Sequence, residues 1–272
     1  MPAKPKTSGE SPVLRPELRI GTSGYSFKDW KGTFYPEDLP AQQMLPFYAE
    51  RFDTVEVNFT YYRMPTEETT AGMAAKVPEG FTFFVKAFQD LTHKGDLSGA
   101  AEFASGVEPM REAGKLAGLL FQFPQRFKRT RANREYLAAL VKGFEGFTLA
   151  FEFRDRSWAR EDVYRSLEER SVALVCPDEP EASTLFPRLA RATSDVGYVR
   201  FHSRAGEKWY KGEAARYDYD YSDDELREWL PMLEAMARRA KRLFVYFNNC
   251  HRGQAAKNAE SMKRIVEQAR LW

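Results

Sequence analysis

The chain has 272 residues, of which 43% are hydrophobic and 29% charged, with 41 Lys and Arg against 39 Asp and Glu. That mix supports a packed core, and the near-balance of charge argues against a general nucleic-acid coat or a polybasic membrane binder, so attraction to any partner must be local. No apolar run reaches the ~18 residues of a membrane span. The only two cysteines, Cys176 and Cys250, exclude a disulfide framework and fit a reducing, cytoplasmic setting.

The opening stretch, MPAKPKTSGESPVLRPE, lacks an apolar signal-peptide segment and reads as a disordered N-terminal tail over residues 1–17. Runs rich in Val, Ile, Phe and Tyr then recur at 18–24, 54–58, 81–87, 117–123, 147–154, 171–177, 196–202 and 242–249. Several are apolar on both faces, as parallel strands covered by helices are. Helical periodicity separates some of them. Leu45, Tyr48, Ala49 and Phe52 form one stripe over 41–52, and Tyr136, Leu137, Leu140 and Val141 form another over 133–142. Ser222 with Glu225 is a capping-box pattern opening a helix in which Pro231 must kink the chain or move the start. A last helix is predicted over 254–271.

Strand spacing averages about 32 residues, close to the ~31 per unit of an eightfold barrel. GTSGYS after the first strand has the wrong glycine spacing for a dinucleotide-binding turn. The sequence therefore predicts one α/β domain over 18–272, a single eightfold parallel β/α barrel of the TIM type. Its longest connection follows strand seven.

Barrel chemistry sits at the carboxyl ends of the strands. Nearly every strand carries a polar residue there: Glu56 and Asn58, Lys86, Gln122, Glu152 and Arg154, Asp178, Arg200 and His202, Asn248 and Asn249. Some of these charges would be expected to pair simply to offset burial, Glu152 with Arg154 or Glu56 with Lys86. A whole ring of them, where a purely structural barrel would use Val, Ile and Leu, points to a site.

Taken together, GTSGYSFKDWKGTFYP, TVEVNFTYYRMP, FVKAFQDLTH, LLFQFP, FEFRDRSW, YVRFH and VYFNN resemble, in this order, the YecE-like family, catalogued as domain of unknown function seventy-two. The resemblance runs from about Ile20 to the C-terminus. It implies a TIM-type barrel with a polar pocket at the top and brings no established reaction. By resemblance the pocket positions include Thr22, Ser23, Tyr62, His93 and Trp158 alongside the strand-end residues. Tyr25, Ser203 and Cys250 depart from the usual pattern.

The first chemical reading is a small phosphorylated or otherwise anionic ligand, held by Arg154, Arg200 and Lys211, with Lys208 and Arg204 in the same loop. Asn58, Tyr62, His93, Gln122, Trp158 and Asn248 would complete the binding site. Glu56 or Glu152 would serve as general acid or base with His202 as proton shuttle, and Lys86 stands with them among the catalytic candidates. Lys86, with two glutamates expected beside it, should stay charged rather than act as a Schiff-base nucleophile. No organic cofactor is expected. The alternative is a divalent-metal isomerase, epimerase or phosphodiester hydrolase with Glu152, Asp178 and His202 as ligands, although Arg154 and Arg200 would repel a cation. A non-catalytic anion- or nucleotide-binding module uses the same pocket. The acidic, aromatic tract YDYDYSDDE at 217–225 reads either as a solvated loop or as a lid.

Overall fold

The eight β-rich runs become eight short parallel strands in a computed structural model that describes residues 16–270. They are β1 (Glu17–Thr22), β2 (Thr54–Val57), β3 (Thr82–Lys86), β4 (Leu116–Gln122), β5 (Leu149–Glu152), β6 (Ala173–Asp178), β7 (Val196–Phe201) and β8 (Arg242–Phe247). Residues 1–15 of the expected tail lie outside the described residues; Glu17 already belongs to β1, opposite Arg242.

Parallel neighbours need crossover connections. Most steps supply a helix: α1 (Met44–Ala49), α2 (Glu67–Ala75), α3 (Ala100–Glu112), α4 (Arg131–Gly143) and α5 (Glu161–Glu169). The step from β6 to β7 has none, and covers the sheet instead with an irregular segment that buries Leu185, Phe186 and Ala192. The long β7–β8 connection holds α6 (Gly206–Trp209), α7 (Glu213–Arg216), α8 (Asp223–Arg227) and α9 (Leu230–Ala237). The Ser222 capping box is present at the start of α8, and Pro231 divides the expected helix by sitting in the first turn of α9. The last helix, α10 (Gln254–Gln268), packs on β1 and β8; Leu271 lies outside the described residues. Among the described residues no helix is long and apolar enough to cross a membrane.

Ladder hydrogen bonds run β1-β8-β7-β6-β5-β4-β3-β2, so β1 and β2 are the two ends that must meet for the barrel to close. They meet at a parallel bridge between Ser23 and Glu56, where Gly24 N donates to Glu56 O at 2.7 Å. The Tyr48 hydroxyl stitches the seam below, accepting from Thr22 N at 2.9 Å and donating to Thr54 O at 3.1 Å. Only glycine fits at position 21, because a Cβ there would stand 2.3 Å from Thr54 O.

The barrel interior is filled by Phe84, Leu120, Ala150, Val175, Tyr198, Phe244 and Tyr246, while a larger apolar cluster lies between sheet and helices. Two residues further along five of these strands, on the same face, the interior changes character. Phe84 gives way to Lys86, Leu120 to Gln122, Ala150 to Glu152, Tyr198 to Arg200 and Tyr246 to Asn248. The apolar plug ends and a polar layer begins within one step of the alternation.

Candidate functional site

The first polar layer is a continuous chain of alternating charges. Arg200, 1% exposed, donates from Nη2 to Glu56 Oε1 at 2.7 Å and from Nη1 to Glu152 Oε2 at 2.5 Å. Glu56 also accepts the Tyr198 hydroxyl at 2.6 Å. Glu152 Oε1 lies 2.6 Å from Arg154 Nη2, and Arg154 Nη1 donates to Glu179 Oε2 at 2.5 Å. Burial by itself would raise the Glu152 carboxyl, but Arg154 and Arg200 on either side hold it well below the usual range. His202 is wedged into the chain without exposure. Its Nδ1 is 3.0 Å from Asn248 Nδ2, and its Nε2 is 3.0 Å from Arg154 Nη2 and 3.3 Å from Glu152 Oε1. Burial and the Arg154 charge push its pKa well below the ordinary value, so the ring is neutral.

Above this floor opens a cavity of about 430 Å³. Of the residues expected at the site, Ser23, Asn58, Tyr62, Lys86, His93, Gln122, Arg154 and Asn248 line it. Glu56, Glu152, Arg200 and His202 converge beneath it, fully or almost fully buried and engaged with one another. The cavity also takes in Phe27, Tyr61, Gln125, Trp209, Arg216, Tyr217 and Cys250. Among the described residues its lining contains three cations, Lys86, Arg154 and Arg216, and no carboxylate.

Lys86 differs from the residues of the floor. The ion pair with Glu56 anticipated from sequence is absent: no carboxylate of the described residues comes within 4.0 Å of Nζ, which sits 4.5 Å over the Tyr61 ring. Burial, then the Arg200 charge, lowers its pKa to about 8 despite the attraction of Glu56 and Glu152. Lys86 is thus still mostly charged at pH 7, as expected, but gives up its proton more readily than an ordinary lysine. Its backbone is held by the Thr60 hydroxyl, which donates to the Lys86 carbonyl at 2.6 Å.

His93 reaches the same wall from a single π-helical turn, Asp90–Lys94, which ends on Gly95 in the left-handed region (φ 70°). Its ring packs edge-on against Tyr61 at 5.0 Å, with Nδ1 2.9 Å from Thr92 Oγ1. Burial and the Lys86 charge lower its pKa to about 4, leaving it neutral.

Three sequence expectations are placed elsewhere. Asp178 does not join Glu152 and His202: it lies on the outer face of β6, accepting from Trp229 Nε1 at 2.6 Å, Arg204 Nη2 at 2.8 Å and the Tyr221 hydroxyl at 2.9 Å. The residue that turns inward is its neighbour Glu179, unnoticed in the sequence, whose carboxyl is raised to about 7 by burial against the pull of Arg154. Trp158 is buried outside the barrel, stacked on Phe153 and Phe127 with its indole N–H donated to Phe127 O at 2.6 Å. Lys211 is exposed and away from the cavity; within its loop Lys208 pairs with Asp218 and Arg204 with Asp178, and Arg216 is the basic residue that reaches inside. Of the tract 217–225, Tyr217 lines the cavity, while Tyr221 is tied to Asp178 and Ser222 caps α8. The segment roofing the cup is the preceding one, bearing Trp209 and Arg216, with Arg216 4.9 Å and Arg154 5.5 Å from the Trp209 ring.

Residues 19–271 match the family described as protein of unknown function DUF72. The chain is 30% identical to the UPF0759 protein YunF of Bacillus subtilis (strain 168), the match covering 92% of this chain and 95% of that protein. Among solved structures it is similar to a DUF72 family protein from Thermotoga maritima MSB8, at 39% identity with a TM-score of 0.86 over 92% of this chain and 99% of that one. A DUF72 family protein from Enterococcus faecalis V583 is similar at 26% identity with a TM-score of 0.81, over 92% and 95% of the respective chains.

Proposed function

The chain belongs to the DUF72 family, and we propose that this member is an enzyme acting by acid/base chemistry on a small anionic, hydroxyl-bearing compound held in the cup at the carboxyl ends of the strands. The observation that carries the reading is the charge of the lining: Lys86, Arg154 and Arg216 face the cavity with no carboxylate beside them among the described residues. Arg154 is already bound to two glutamates, so Arg216 and Lys86 are the cations with capacity for a guest anion. Amides suit the hydroxyls. Asn58 Oδ1 is buried without a hydrogen-bond partner, an acceptor that a ligand hydroxyl would satisfy. Tyr61, Trp209 and Tyr217 offer aromatic faces to the carbon skeleton.

The proton-transfer roles first given to Glu56, Glu152 and His202 pass to Lys86 and His93. The former three are sealed from the cavity, whereas the latter two line it, Lys86 with its pKa brought down to about 8 and His93 as a neutral ring. Glu56, Glu152 and His202 then act as positioning residues that hold Arg154 and Arg200.

Calorimetry with inorganic phosphate, sugar phosphates and sugar acids tests this. Binding should weaken about tenfold in Arg216→Gln, the worth of one charge-assisted contact, and fall with ionic strength. Affinity for none of these anions, or affinity indifferent to Arg216, would overturn the reading.

A further inference from the structure

We propose that Lys86 is a covalent-catalysis amine, taking up the aldehyde or ketone group of the anionic compound as an imine. The inference rests on the anion-binding reading above and narrows its substrate class to carbonyl acids and carbonyl phosphates. Three observations carry it. Lys86 ends β3 inside the cavity, with its backbone pinned by Thr60 and its Nζ over the Tyr61 ring. The carboxylates nearest to it are spent: Glu56 is held by Arg200 and Tyr198, and Glu152 by Arg200 and Arg154. The same pairs also occupy Arg200 and Arg154, so the charges of the floor offset one another and the amine is left buried without an ion-pair partner among the described residues. A lysine desolvated in a pocket is one of the recognised ways to obtain an amine nucleophile near neutral pH. With a pKa of about 8, about a tenth of Lys86 is free base at pH 7, against fewer than ~1 in 1,000 for an ordinary lysine.

The step balances without a further reagent. The Nζ lone pair adds to the carbonyl carbon, the C=O pair moves to oxygen, and one proton passes from nitrogen to that oxygen. The resulting carbinolamine loses its C–O bond with a second proton, so an ammonium and a carbonyl become an iminium and one water. His93, neutral and packed on the same Tyr61 ring, is the group in this wall able to relay a proton.

The test uses the full chain with glyoxylate, an aldehyde and a carboxylate in one small molecule, and sodium cyanoborohydride, followed by intact mass and peptide mapping. The proposal expects one carboxymethyl group per chain, on Lys86, formed at least about tenfold faster than on exposed lysines such as Lys94 or Lys142. Lys86→Arg should abolish it, and Arg216→Gln should slow it. Label spread over exposed lysines with Lys86 unmodified overturns the proposal, and wild-type mapping reads this even if a variant fails to fold. Glycolate, which keeps the carboxylate but lacks the carbonyl, separates the two readings. Glycolate binding that depends on Arg216, together with an unmodified Lys86, overturns the imine and leaves the anion site standing. A Lys86 adduct indifferent to Arg216, without glycolate or phosphate binding, supports the imine and overturns the anion site.

Discussion

The floor of the cup and its β3 wall are built from the same kinds of residue and do opposite things. In the floor, Glu56, Arg200, Glu152, Arg154 and Glu179 alternate in sign and hold one another through contacts of 2.5–2.7 Å. In the wall, Lys86 stands against an aromatic ring with no carboxylate of the described residues in pairing range. A charge at a strand end is thus not in itself a sign of chemistry. Pairing decides whether it is structure or a reactive group, and in this barrel the arginines of the floor take the carboxylates that would otherwise have tamed the lysine.

That contrast can be broken most forcefully at Arg200. Its replacement in Arg200→Met leaves two buried carboxylates facing each other without their shared cation, and stability to urea should fall by about 3–5 kcal/mol. A loss below about 1 kcal/mol would mean the floor is not the interlocked unit described. Tyr198→Phe removes one donor from Glu56 and should cost about 1–3 kcal/mol in the same assay.

The wall should respond in the other direction. The folded pKa of Lys86 is depressed to about 8 from 10.5, so its contribution to stability is full above pH 10.5 and is lost as pH falls through 8. Lys86→Met should therefore gain about 1 kcal/mol on the wild type below pH 8, after allowance for solvent screening, and nothing above 10.5. Denaturation at several pH values reads this gap, and a variant less stable than wild type at pH 7 would show the amine to be paired after all.

The smallest effect belongs to Glu179, whose pKa is raised from 4.5 to about 7. Its contribution is present below pH 4.5 and lost as pH rises through 7. Glu179→Gln should close on, and then overtake, the wild type across that window; a gap constant with pH would place the carboxyl outside the floor.

The barrel and the ring of charges at its strand ends are legible in the sequence, because strand alternation places residues two apart on one face. Glu152 and Arg154, or Arg200 and His202, announce themselves that way. Where two acids are consecutive the same rule fails on phase. Asp178 and Glu179 differ by one position and hence by a whole face of the sheet, so the sequence alone points to the outward acid in place of the inward one. Trp158, Lys211 and Arg216 sit in connections that have no period to read, and only the path of the β7–β8 segment decides that Arg216 reaches the cavity and Lys211 does not. Pairing was out of reach for a further reason. Glu56 meets Arg200 across the barrel, from strands 144 residues apart in the chain, and nothing local in either strand says that Lys86 loses that competition.

The central claim, a buried amine without an ion-pair partner, is tested most directly by NMR titration of the Lys86 ammonium in lysine-labelled protein, assigned by its disappearance in Lys86→Arg. The account predicts a midpoint near pH 8. A midpoint above about 10, the range of an ordinary or ion-paired lysine, would contradict it.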